Sequence, residues 1–349
     1  MSEQTLTFVV GTGRSGSSAL SRILRAHPDV LSLNELLASV GADPGRDPLP
    51  ARPLSGVDFW YLLTEPNEVF DRMIRSGAPL PEFLYPRRPG RWSAERTGIP
   101  ALCLMVLPHL TDDPDALLDR LEPQVTEWPT RPAADHYRAL FRLLGAEHGS
   151  RAAVERSGYS LGWVARLHAA FPDARFVHLH RDGPDCALSM SSHPGYRMII
   201  QLREIARYSG VATLSALTDA HVARLPPHLA GLLRNRFDPA LVLERTLPVT
   251  DFGALWAQLV AEGVEALDRV PDGLRTALAY EDLLDRPREE LARLAEHIGV
   301  APDPAWLAEG AAALDGSRRG AALRLLPEQR AALVEACAPG TAALRAGAH

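Results

Sequence analysis

Four short runs stand along the chain at residues 6–10, 30–33, 175–180 and 276–280, and each predicts a strand. The run at 6–10 (Leu-Thr-Phe-Val-Val) is β-branched and short, as a strand covered on both faces should be. Between the runs the period changes to that of a helix. Leu20, Ile23, Leu24 and His27 fall at i, i+3, i+4 and i+7 within residues 17–27, and Pro28 closes that helix. Further helices are predicted at 132–145, at 162–170 before Phe171-Pro172-Asp173-Ala174, at 184–191, at 289–298 and at 327–337. Residues 195–270 read as mostly helical, with breaks at Pro226-Pro227 and around Pro248. His178 and His180 are expected to face opposite ways on their strand and to pack rather than hold a metal. Strands alternating with helices imply an α/β fold, a doubly wound, mainly parallel sheet flanked by helices. Residues 41–100 are rich in proline. Residues 42–53 should hold no regular structure, and the whole stretch is expected to be irregular surface that shapes a substrate. No repeat is visible, and one domain is expected over residues 1–349.

Composition adds limits. The chain has 349 residues, a net charge of −6, 46% hydrophobic and 23% charged residues, the proportions of a soluble globular protein. No run of ~18 apolar residues is present, and the first residues lack a signal-peptide pattern. Cys103, Cys186 and Cys337 are too few and scattered for a disulfide framework or a zinc site, so the expected location is the cytoplasm. The charge balance argues against a nucleic-acid partner. There is no lysine: all 37 basic side chains are arginine, as a GC-rich bacterial genome would favour. Any cation in a site is therefore an always-charged, forked guanidinium.

Gly11-Thr12-Gly13-Arg14-Ser15-Gly16 lies after a predicted strand and before a predicted helix. It fits the dinucleotide fingerprint G-x-G-x-x-G and, with Ser17-Ser18, a P-loop without its lysine. Either way the glycines let the backbone approach a phosphate at a helix N-terminus. ATP or GTP hydrolysis is not expected, because Ser17 stands where the lysine would reach the β- and γ-phosphates. Glu35 lies about 20 residues on, where a dinucleotide enzyme holds its ribose. An NAD(P)-dependent oxidoreductase thus stays open. Against it, Arg14, Ser15, Ser17 and Ser18 offer a cation and three hydroxyls to one anion.

The loop Gly13-Arg14-Ser15-Gly16-Ser17-Ser18, continuing through Ala26-His27-Pro28-Asp29 to Glu35, resembles the 5′-phosphosulfate loop of sulfotransferases that use PAPS (3′-phosphoadenosine 5′-phosphosulfate). The likeness is greatest to the bacterial and tyrosylprotein-type branch, with its P-loop-like fold. It implies Glu35 as general base. It also implies that Arg181 and Ser189, eight residues apart, hold the 3′-phosphate. The segment Val154-Glu155-Arg156-Ser157-Gly158 resembles the stretch that carries a lysine into the site, with Arg156 in the lysine's place, a departure from the family. Tyr280 would pack by the adenine, and Arg318, in Ser317-Arg318-Arg319-Gly320, would come from a lid over the cofactor. The implied reaction moves a sulfuryl group from PAPS, without a metal, to a hydroxyl of a small-molecule, sugar or lipid acceptor. The cofactor core would span about residues 5–36, 150–192 and 275–325, with acceptor-shaping insertions at about 40–130 and 195–255. A catalytically dead nucleotide-binding module is a third possibility.

Other residues have plainer readings. Arg181 could pair with Asp182 or Asp185 on the surface, Arg156 could be a surface arginine, and Tyr280 could pack in the core. Trp60, Tyr61 and Trp92 would line an acceptor pocket or cover core. Asp112, Asp113 and Asp115 read as a solvated acidic turn, and Glu289-Glu290 as acids suited to a helix's first turn. The sequence picks neither the acceptor nor an oligomeric state.

Overall fold

The computed structural model describes residues 4–41, 46–211, 216–234 and 242–347. Its centre is a parallel five-stranded sheet, in the order β2-β3-β1-β4-β5. The strands are β1 (Thr5–Val10), β2 (Val30–Asn34), β3 (Ala152–Arg156), β4 (Arg175–His180) and β5 (Arg275–Ala279). Four of them are the predicted runs. β3 carries Glu155 and Arg156 inside its five residues, so its composition hides it. It pairs with β1 and β2 all the same, with Val9 and Asn34 both opposite Arg156.

Both faces of the sheet are covered. Leu6, Phe8, Val10 and Phe176 point into the larger core, and Val9, Val177 and Leu179 into a second one. The second core is closed by the helices Ser17–Arg25 and Pro287–Ile298, through Leu20, Ile23, Leu24, Leu291, Leu294 and Ile298. The larger core takes Tyr137 and Leu140 from Ala133–His148, Phe252 and Trp256 from Val249–Leu267, and Leu333 and Cys337 from Pro327–Ala346. That last helix runs beyond the expected end at 337 and keeps Pro339 inside it.

Residues 41–100 are not the irregular surface expected. Residues 46–53 are indeed without helix or strand, and 42–45 lie outside the described residues. Beyond them, Gly56–Thr64 starts on a Ser55–Asp58 capping box and Glu68–Arg75 on an Asn67 cap. These two helices bury Phe59, Trp60, Leu63, Phe70 and Met73 in the larger core. The apolar spacing there outweighs the prolines that flank it. The expected acidic turn is the start of another helix, Pro114–Thr126, which Asp113 caps. Asp115 accepts hydrogen bonds from the Tyr85 hydroxyl at 2.7 Å and the Arg91 amide at 2.9 Å. The region 195–270 is helical over Pro194–Ser209, Asp219–Arg224, Pro227–Arg234 and Val249–Leu267, while 212–215 and 235–241 lie outside the described residues. His178 and His180 share one face, with ring centroids 5.3 Å apart, because residues two apart on a strand point the same way.

Among the described residues no helix is long and apolar enough to cross a membrane. The three cysteines are buried and free.

Gly16 joins β1's loop to the first helix at φ 88°, where a Cβ would sit 2.2 Å from Cδ2 of Tyr280. Gly77 has a similar φ of 76° with open space around it. Gly16→Ala should cost about 2–4 kcal/mol in urea unfolding, the sum of positive-φ strain and overpacking, and Gly77→Ala only ~1 kcal/mol. Equal losses would show that Tyr280 does not press on the loop.

Candidate active site

The carboxyl ends of β1, β2, β3 and β4 all open on one edge of the sheet, and every strand-borne candidate lies there. In open parallel sheets ligands bind outside this edge, where the strand order reverses. Here the reversal lies at β1, which has β3 on one side and β4 on the other.

The loop after β1 is held from below. The Tyr196 hydroxyl donates to the Thr12 carbonyl at 2.5 Å, and the Cys186 thiol donates to the Gly13 carbonyl at 3.3 Å. Burial pushes the Cys186 thiol up to about 12, so it stays protonated as a donor. Of the three hydroxyls expected to face one anion, only Ser17 lines the neighbouring cavity. Ser18 is exposed. Ser15 is buried, its Oγ has no hydrogen-bond partner, and it turns back beside Gly11. Arg14 leaves the loop to donate from Nε to Ser189 Oγ at 3.3 Å and from Nη1 to Glu82 at 3.3 Å. Ser189 therefore meets Arg14 rather than Arg181.

Glu35 follows β2 directly. Its amide donates to the Arg156 carbonyl at 2.7 Å. One carboxylate oxygen pairs with Arg156 Nη1, and the other accepts from the Gly158 amide at 2.8 Å. Arg156 Nη2 donates to Asn34 Oδ1, and its Nε is buried without a partner. Arg156 is thus no surface arginine; its side chain is 3% exposed. Burial raises the Glu35 pKa above the ordinary 4.5, although Arg156 and the Gly158 amide pull it down. A basic carboxylate beside a cavity is suited to accept a proton.

That cavity holds about 400 Å³. Arg14, Ser17, Glu35 and Glu82 give it polar ground, and Leu37, Val69, Phe70, Leu80, Met198 and Ile199 are among its apolar walls. Three non-glycine residues among those described have positive φ: Arg14 (59°), Glu35 (58°) and Tyr159 (63°). All three line this cavity. Backbone strain of this kind costs about 1–3 kcal/mol per residue and gathers at functional sites. Trp60, Tyr61 and Trp92 do not line it. Trp60 is core, and the Tyr61 hydroxyl donates to Glu65.

On the other side of β1, Arg181 is buried just beyond β4. It donates from Nη2 to Asp185 at 3.1 Å and to the Arg318 carbonyl at 2.6 Å, and its Nε has no partner. The expected pairing with Asp185 exists, but in the interior, not on the surface. Asp185 also accepts from the amides of Gly320 and Ala322, at 2.6 and 2.9 Å, which ties residues 318–322 to β4's edge. Tyr280 lies between the two halves. Its ring covers Gly16, its centroid is 5.4 Å from Arg181 Cζ, and its hydroxyl donates to the Asp315 carbonyl at 3.0 Å. It packs in the core as well. The Arg318 side chain is exposed. Among the described residues no group of three His, Cys, Asp or Glu is placed to hold a metal ion.

Sequence reasoning missed Glu82, His193 and Glu155. His193 caps the helix Pro194–Ser209 through Nδ1, which accepts from Gly195, and its Nε2 lies 3.2 Å from Glu82. The contact spans 111 residues, so no local pattern announces it. His193 and Arg14 hold the Glu82 carboxyl below its ordinary value despite burial.

Residues 96–228 match the model of the sulfotransferase family. The match includes Arg156, Arg181, Ser189 and the cavity wall at 193–202, but neither the first loop nor Glu35. It does not favour an oxidoreductase. No curated protein matches the chain. Among solved structures, a sulfotransferase domain from the curacin biosynthetic pathway is similar at 16% identity and a TM-score of 0.49, over 95% of this chain and 96% of that one. The sulfotransferase domain of the Synechococcus PCC 7002 olefin synthase is similar at 14% identity and a TM-score of 0.44, over 100% and 97%. A sulfotransferase from Alicyclobacillus acidocaldarius is similar at 17% identity and a TM-score of 0.43, over 99% and 96%.

Glu155 lies behind the site, fully buried, accepting from Ser157 Oγ at 2.6 Å. Burial raises its pKa to about 7, helped by the neighbouring Glu35 charge. Between the ordinary 4.5 and about 7 the folded state then binds the extra proton. The stabilisation is whole below 4.5 and is lost as pH rises to about 7. Glu155→Gln should remove that pH-dependent loss, on the order of 3 kcal/mol, from the urea midpoint measured between pH ~4.5 and ~7.5. Parallel profiles for variant and wild type would contradict the assignment.

Proposed function

We propose, from that family match and this cavity, that the protein transfers a sulfuryl group from PAPS to a hydroxyl of a small-molecule, sugar or lipid acceptor, leaving a sulfate ester and 3′,5′-ADP. The observation that carries the reading is that Arg14 and Glu35, from the ends of two different strands, line one cavity at the carboxyl edge of the sheet.

The donor supplies an activated sulfuryl group on a phosphate leaving group. Around it the residues divide as follows. The amides of Gly13, Arg14, Ser15 and Gly16, with Ser17 and Ser18 at the helix N-terminus, bind the 5′ end. Arg181 and Ser189 take the 3′-phosphate, Tyr280 packs by the adenine, and Arg318 approaches from the 318–322 segment. The buried, unpartnered Nε atoms of Arg156 and Arg181 suit an anionic ligand, because a buried donor without a partner carries a desolvation cost that such a ligand would relieve.

Glu35 accepts the acceptor's proton as the acceptor oxygen bonds to sulfur. The bond between sulfur and the phosphate oxygen breaks, and its electron pair stays on the phosphate. Arg14 and Arg156 stabilise that charge electrostatically; neither donates a proton, since guanidinium does not deprotonate. Arg156 also holds Glu35 in place through its ion pair. The segments of about 40–130 and 195–255 shape the acceptor side of a single domain. The three free thiols accord with a reducing cytoplasmic setting.

Glu35→Gln should lower the transfer rate by about 10²–10⁴, the usual worth of a general base, while binding of 3′,5′-ADP stays unchanged. In the wild type kcat/KM should fall on acidification with a midpoint above the ordinary 4.5, because Glu35 must be ionised to act. Transfer surviving in Glu35→Gln would remove Glu35 from the chemistry.

A further inference from the structure

Resting on that reading of Glu35, we infer that the acceptor is an uncharged, mainly apolar alcohol or phenol, and not a sugar or a hydroxy acid. At about 400 Å³ the cavity is at the small end of ligand pockets.

Its charges are already matched. Among the described residues that line it, Arg14 is the one guanidinium; it meets Glu82 and Ser189, and the reading above gives it to the leaving phosphate, so none is left for the acceptor. Glu82 is shared with His193, and Glu35 with Arg156 and the Gly158 amide. His193 accepts the Gly195 amide at Nδ1, and its Nε2 faces Glu82, so the ring is taken up within the same network.

An acceptor carboxylate would face Glu35 and Glu82 with no cation to spare. In the wall the hydroxyls of Ser157, Ser160 and Tyr196 already donate to protein acceptors, which leaves those of Ser17 and Tyr159; the remaining hydroxyls of a sugar would meet Leu37, Val69, Phe70, Leu80, Met198 and Ile199, where each buried hydroxyl without a partner is penalised. One hydroxyl, aimed at Glu35, is satisfied. The rest of the molecule gains by leaving water for the apolar wall. Specificity then comes from exclusion: the two carboxylates reject an anionic acceptor, and the aliphatic wall rejects polyols.

Trp163 lines the same cavity and reports occupancy without turnover. The experiment titrates 2-naphthol, 1-octanol, glucose and 8-hydroxyoctanoate against the protein, following the fluorescence that Trp163→Phe removes. Transfer from PAPS to each compound and binding of 3′,5′-ADP are measured in parallel. The expected result is binding and sulfation of 2-naphthol or 1-octanol, with glucose and 8-hydroxyoctanoate at least about tenfold weaker. Ile199→Glu, on the half-buried wall, should weaken the alcohols about tenfold and leave 3′,5′-ADP binding intact. Ile199→Ala, which adds no charge, is the folding control and should weaken them less than Ile199→Glu. Glucose or 8-hydroxyoctanoate binding as well as the alcohols, with 3′,5′-ADP still bound, would overturn the acceptor class alone. Loss of 3′,5′-ADP binding in the wild type would instead overturn the sulfuryl-transfer reading, while the Trp163 titration still tests the cavity.

Discussion

A carboxylate and a guanidinium meet beneath the carboxyl edge of the sheet, and the arrangement above them follows from that pairing. Glu35 and Arg156 are each nearly inaccessible, at 5% and 3%. Leaving either charge alone at such a depth would cost about 3–5 kcal/mol. The pair is built twice over, once through side chains and once through the Glu35 amide on the Arg156 carbonyl. It therefore fixes the turn after β2 against the end of β3. Glu35 accepts a strained, positive-φ backbone in the process. An arginine suits this position where a lysine would not: it cannot shed its proton under burial, and its fork reaches Asn34 as well as Glu35.

From there a chain of polar contacts encloses the cavity. Arg14 reaches across to Ser189 and Glu82, and Glu82 to His193. Arg181, on the far side of β1, draws Asp185 and the 318–322 segment together. Tyr280 fills the space between the loop and Arg181. The cationic groups are thus held in place by their neighbours, the preorganisation on which the proposed electrostatic stabilisation rests.

Much of this was legible in the sequence because it is local. An apolar run, a glycine loop and a helical period lie side by side in residues 6–27, and the structure keeps all three. Glu35 was legible by its spacing from the loop. What could not be read is long-range. Nothing near Arg156 announces that it pairs with Glu35, 121 residues away, and β3 hides behind its two charged residues. The prolines of 41–100 drew attention from Phe59, Leu63, Phe70 and Met73, whose burial decides that region. His178 and His180 share a face because the strand period is two. Pro339 sits inside the last helix, where propensity alone would end it.

On the proposed function, the loop after β1 and Arg181 together bind a nucleotide with both a 5′ and a 3′ phosphate. Calorimetric titration with 3′,5′-ADP, beside 5′-AMP, NADH and NADPH, tests it most directly. Micromolar binding of 3′,5′-ADP alone, lost in Arg181→Ala, is the expected result. Binding of NADH or NADPH in its place would contradict it and make Glu35 a ribose ligand.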